Sequence, residues 1–171
     1  MMPDMLLNQG LDRGLLALFC ALLAIAAASD LRSFRIPNRI SAALLLLFPL
    51  HVLASPTPID WPMSLAVGGA IFAVGFGIYL LGWAGGGDVK LLAASALWTG
   101  PTMVGPQLLS MALAGGVLAL AALGVQYARR YAAGGIVGVM VPDTTVAAPK
   151  VPYGAAIAVG GIVAILNLLP G

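Results

Sequence analysis

Six apolar runs, separated by short breaks rich in proline, glycine or charge, constrain this chain more than any other feature. They cover residues 14–29, 40–53, 63–81, 89–98, 103–127 and 153–169. Inside a bilayer, backbone N–H and C=O groups find no water. A run of about 20 apolar residues therefore satisfies them by closing into a helix that spans the hydrocarbon. Composition agrees: 61% of the 171 residues are hydrophobic, 8% are charged, and glutamate is absent. The expected fold is an all-α, polytopic membrane bundle of about six transmembrane helices, forming a single domain over residues 1–171.

The breaks are chemically distinct. Pro37-Asn38 ends the turn after the first run, Ser55-Pro56-Thr57-Pro58 with Asp60 and Pro62 follows the second, and Gly100-Pro101 separates the fourth from the fifth. The fourth run has only 10 residues, a length that suits a re-entrant segment as well as a crossing. Arg32, Arg35 and Arg39 fall in the first connection, Lys90 beside the third, and Arg129, Arg130 and Lys150 in the fifth, whereas the second and fourth carry no Lys or Arg. By the positive-inside rule the odd connections are cytoplasmic and both termini lie outside, with Arg13 the one dissenting charge.

These arginines sit in connections and not on a stripe interleaved with aromatics, so nucleic-acid binding is not implied. Cys20 is the only cysteine, which excludes an intrachain disulfide and a cysteine-ligated zinc cluster. The apolar stretch 14–28 with Ala26-Ala27-Ala28 has features of a cleavable signal, but the three arginines just beyond it resist export. It is expected to remain as the first helix. Pairs such as Gly68-Gly69, Gly115-Gly116 and Gly160-Gly161 read as close helix packing.

Two aspartates at the predicted cytoplasmic membrane edge carry the chemistry. Asp30 ends the first apolar run, and Asp88 follows Gly85-Gly86-Gly87 just before the fourth. Carboxylates there are costly and so point to function. Three consecutive glycines predict a helix break before the fourth span, with a backbone open to close approach by another chain. The plain alternative is a tight loop with Asp88 as a helix N-cap. His51 is the only histidine and maps to the opposite face, and no serine has an assignable base, so a hydrolytic triad is disfavoured. With one histidine, one cysteine and six aspartates, only two of them placed together, the chain supplies too few ligands for a catalytic zinc. No cofactor is expected. Two carboxylates suffice for peptide hydrolysis when one accepts a proton from water and its protonated partner polarises the scissile carbonyl.

Asp30 with Ile36-Pro37-Asn38, the segment Gly85-Gly86-Gly87-Asp88-Val89-Lys90-Leu91, and Val151-Pro152-Tyr153-Gly154 before the last run occur in the order of a known pattern. Together they resemble the type IV prepilin peptidase family, membrane aspartic proteases whose second aspartate lies in a Gly-x-Gly-Asp motif. The resemblance implies a bacterial inner-membrane endopeptidase that removes the positively charged leader of prepilins or pseudopilins at the cytoplasmic face, with Asp30 and Asp88 as catalytic pair. Gly85, Gly86 and Gly87 would let the backbone approach substrate, and Pro37 and Asn38 would aim Asp30. Lys90 would either tune the pair or serve as a snorkelling anchor. The chain lacks the cysteine-bearing insertion of larger relatives and is most similar to the short Flp/Tad-pilus type, for which methyltransferase activity is not expected. Ala155 stands where some relatives carry proline after the glycine, which bears on substrate preference. The expected partners are a prepilin substrate and membrane lipids. Rival readings are a small proton- or cation-coupled transporter and a non-catalytic scaffold for pilus assembly.

Overall fold

A computed structural model describes residues 2–140 and 151–168, with side chains over 8–132 and 151–168. It contains five helices among the described residues: α1 (Met2–Ser33), α2 (Asn38–Ala54), α3 (Trp61–Leu80), α4 (Gly86–Met140) and α5 (Tyr153–Leu168). Three segments are long and apolar enough to cross a membrane, Asn8–Ser33, Trp61–Leu80 and Gly86–Ala132, and α2 and α5 are shorter apolar helices. The protein is thus a helical membrane protein. Lys150, Asp143 and the last residue of the sixth apolar run fall outside the described residues.

Five helices replace the six expected because the fourth and fifth runs join in α4, which continues through Pro101 and Pro106. That element is nevertheless not straight. Gln107 Nε2 donates to Ser95 Oγ at 2.6 Å, and Thr99 Oγ1 donates to Gln107 Oε1 at 2.6 Å, all three side chains being buried. Residues 95 and 107 would be about 18 Å apart along a straight helix, at about 1.5 Å per residue. The hydrogen bond therefore requires α4 to fold back, and the reversal lies at Gly100, whose φ of 59° is left-handed, followed by Pro101, which has no N–H to donate.

Packing through glycine sets the order of the segments. Gly68 of α3 faces Leu97 and Ala93, and Gly75 faces Val89, so α3 runs antiparallel to the first arm of α4. Gly160 faces Gln107 and Met111 while Gly115 faces Ala156, which makes the second arm antiparallel to α5. On the other side of α5, Gly161 meets Leu23 and Phe19 of α1, and Gly154 meets Asp30. In lipid little hydrophobic drive brings helices together, so such close backbone approach supplies the van der Waals attraction. Outward side chains are apolar: Ile25, Leu46, Val74 and Leu113 are each more than half exposed. A soluble monomer rarely tolerates so much exposed apolar surface.

The core gathers around Trp98. Its ring lies 5.0 Å from Phe19 and 4.8 Å from His51, which stacks on it at 9°, and its Nε1 donates to Leu44 O at 2.9 Å. His51 Nδ1 is 2.8 Å from Asp12 Oδ1, tying α1 to α2 at the end of the bundle away from Asp30. At that same end Asp60 caps α3, accepting from Met63 N at 3.1 Å with Pro62 in the first turn.

The expected glycine-rich break is displaced. α3 closes in a Schellman turn in which Trp83 N donates to Ile78 O, Gly82 N donates to Tyr79 O, and Gly82 has φ 76°. The connection is therefore residues 81–85, and Gly86 and Gly87 already belong to the first turn of α4. A left-handed residue at the C-terminus of α3 ends that helix before the glycine triplet is reached.

Candidate active site

The site forms where three distant segments meet. α1 ends just beyond Asp30, in a turn where Phe34 N donates to Asp30 O at 2.8 Å and Phe34 adopts φ 51°. A left-handed non-glycine residue costs about 1 kcal/mol. Local hydrogen bonds offset it, from Ser29 Oγ to Arg35 O at 2.7 Å and from Ser33 Oγ to Ser29 O at 2.8 Å. The turn carries Ile36 back across the end of the bundle, and extended Pro37 then starts α2 at Asn38.

Ile36 is the wedge between the other two segments. A Cβ on Gly87 would lie 3.3 Å from Ile36 Cβ, and one on Gly154 would lie 2.7 Å from Ile36 Cδ1. Both glycines thus leave room for the same isoleucine, Gly154 more tightly than Gly87. Gly154 also faces Asp30: its N–H donates to Asp30 Oδ2 at 2.7 Å, and the Asp30 side chain is buried. That N–H belongs to the first turn of α5, where helical amides have no partner of their own. The carboxylate of α1 thus sits at the positive end of the α5 peptide dipoles.

Asp88 occupies the equivalent place on α4. Val89 N donates to Gly85 O, which makes Gly85 the residue that opens the helix, and Asp88 lies in the first turn. Its side chain folds back over that turn, so a Cβ on Gly85 would fall 2.7 Å from Asp88 Oδ2. The N-cap reading is thereby replaced: Asp88 is inside the helix and only its carboxylate reaches back. The group is half-buried, and Ile36, which packs against Gly87 beside it and against Gly154 beside Asp30, brings the two carboxylates to the same end of the bundle. Gly86 packs against the Tyr79 ring, at 3.3 Å from a Cβ built there. Lys90 Nζ donates to Asn38 Oδ1 at 3.3 Å, joining α4 to α2 at the exposed rim.

The residues singled out in the sequence therefore assemble: Asp30, Pro37, Asn38, Gly85, Gly86, Gly87, Asp88 and Lys90 all lie at one end of the bundle. Two contacts that shape the candidate site were not read from the sequence. Gly154 was noticed only as part of a motif, though a glycine at the start of a helix after Pro152 is the signal of an available N–H. Ile36 stands in the motif with Pro37 and Asn38, but nothing in its residue type marks it as the contact between Gly87 and Gly154. The Asp12–His51 pair at the far end was also missed, its partners being 39 residues apart in sequence.

No curated protein and no solved structure matches the chain. Residues 17–125 match the model of the type IV leader peptidase family, a span that includes both Asp30 and Asp88 and more than half of the chain. The chain belongs to the type IV leader peptidase family.

Proposed function

We propose that the protein is an aspartic endopeptidase that cleaves the leader from prepilins or pseudopilins of the Flp/Tad type, using Asp30 and Asp88 as its catalytic pair. The observation that carries this reading is the convergence of the two carboxylates, each at a helix N-terminus, held by Gly154, Ile36 and Gly87 from separate parts of the chain. One carboxylate takes the proton of the attacking water while the other, protonated, hydrogen-bonds the scissile carbonyl. Two like charges at close quarters share one proton, which keeps both roles filled. Such chemistry needs no metal ion and no methyl donor.

Six crossings within one domain, with both termini outside, complete the proposal. The fold-back of α4 at Gly100 and the antiparallel order of the glycine contacts support it, as does the placing of Arg32, Arg35, Arg39 and Lys90 at the aspartate end. In that arrangement the site faces the cytoplasm in the bacterial inner membrane. Coexpression with candidate Flp-type prepilins, followed by N-terminal sequencing of the product, tests the function. A new N-terminus immediately after a basic leader is the expected result, and an intact leader on every membrane-anchored candidate would refute it.

A further inference from the structure

Helices α2 and α3 each pack on the first arm of α4 but make no substantial contact with one another. The gap between them is an open groove of about 550 Å³ floored by α4. Its lining changes in character along its length. Lys90 and Asn38 stand at the mouth, Ser41 lies one turn deeper on α2, and beyond it the walls are apolar, with Leu45, Leu65, Phe72 and Leu97. Gly69 opens onto the groove, since a Cβ there would meet nothing within 4 Å.

Two observations, one at the mouth and one a turn deeper, call for a ligand. Ser41 is 4% exposed, and among the described residues its hydroxyl has no hydrogen-bond partner. A buried hydroxyl left in that state costs about 1–3 kcal/mol. The Lys90 ammonium has three donors, and among the described residues it uses one, on Asn38. Asp88, two residues away, is on another side of the helix and does not face it.

We propose that this groove holds one anionic phospholipid of the bilayer, its phosphate on Lys90 and Asn38, a glycerol ester oxygen on Ser41, and an acyl chain along Leu45, Leu65 and Leu97. The order of groups fits: cation and amide, then a hydroxyl one helical turn deeper, about 5 Å, then hydrocarbon. That is the order of phosphate, ester and chain in a phospholipid. A peptide helix offers no buried oxygen at the second level, because its carbonyls are already bonded within the helix. The groove is open between α2 and α3, whose outward side chains such as Leu46 and Val74 are apolar, so within a bilayer an acyl chain would reach it from the side. Basic pockets between transmembrane helices select anionic headgroups in this way.

Native mass spectrometry of the full chain in detergent tests the proposal, with phosphatidylglycerol and phosphatidylcholine of identical acyl chains added in turn. One phosphatidylglycerol should be retained in preference to phosphatidylcholine. Lys90→Gln should lower its retention about fivefold, the factor that one basic residue at a membrane surface supplies. Lys90→Arg should restore most of it, which guards against a simple folding defect. Gly69→Phe, filling the groove from a position with free space, should abolish retention of either lipid. Equal retention of the two lipids by the unaltered protein, or unchanged preference in Lys90→Gln, would overturn the anionic site. Unchanged lipid retention in Gly69→Phe, together with loss of binding of an apolar prepilin segment, would give the groove to the peptide and overturn the proposal equally. Because lipid retention is read without catalysis, its failure is distinct from a failure of the peptidase reading.

Discussion

Replacing Gly154 by alanine should remove most activity while the bundle still forms. A Cβ at this position would lie 2.7 Å from Ile36 Cδ1, 2.9 Å from Asp30 Oδ2 and 3.1 Å from Asp30 Cβ. The isoleucine methyl can rotate aside. Asp30 cannot yield without stretching the 2.7 Å bond from the Gly154 N–H. A hydrogen bond to a charged group contributes about 1.5–3 kcal/mol, and each 1.4 kcal/mol is about tenfold in rate, so cleavage should fall roughly ten- to hundredfold. Overpacking also costs about 1–3 kcal/mol of stability, so activity must be separated from abundance. Gly160→Ala supplies the control: its Cβ would lie 2.5 Å from Gln107 O and 3.0 Å from Met111 Cβ, a clash at least as severe but remote from the carboxylates. Prepilin processing by mobility shift, divided by the amount of enzyme in the membrane, should drop for Gly154→Ala and hold for Gly160→Ala. Equal loss per molecule in the two variants, or normal processing by Gly154→Ala, would refute the reasoning.

Gln107→Leu should lower stability by about 0.5–1.5 kcal/mol for each of the two side-chain hydrogen bonds lost, since the Ser95 and Thr99 hydroxyls keep Leu92 O and Ala96 O as partners; an unchanged unfolding midpoint in detergent would show that the fold-back of α4 is held elsewhere. In a background with Cys20 replaced by alanine, cysteines introduced at Arg35 and Arg129 should react with impermeant thiol reagents only after the inner membrane is opened. Labelling of either from outside would reverse the proposed orientation. Leader cleavage should persist in excess chelator, and activity lost with chelator and restored by one divalent ion would remove the metal-free mechanism.

The helical membrane class was legible because the hydrocarbon demands long apolar runs, and the ends of α2, α3 and α5 fall within two or three residues of the runs that predicted them. Helix count was harder to read. Gly100-Pro101 looked like a break between helices, yet a single left-handed glycine folds α4 back while helical bonding is retained on both sides, and it takes contacts such as the buried Ser95–Gln107 hydrogen bond to reveal the reversal. The glycine triplet misled for a related reason: Gly82, three residues earlier, completes the Schellman turn that ends α3. At the site, the aspartates were legible because charge at a membrane edge is rare. Their supports were legible only as members of motifs, because the Gly154 N–H and the Ile36 side chain act through backbone position and shape, which residue type does not specify.

The central claim, that Asp30 and Asp88 act together as the catalytic pair, is tested most directly by prepilin processing with Asp30→Asn, Asp88→Asn and the double variant, each normalised to membrane abundance. Asparagine keeps the size of the side chain and can still accept a hydrogen bond from the Gly154 N–H at position 30, but it neither takes a proton from water nor returns one. Each single variant should abolish cleavage, and the double should be no worse than either, because residues acting as a unit are strongly non-additive. Near-normal processing by either asparagine variant at normal abundance would contradict the account.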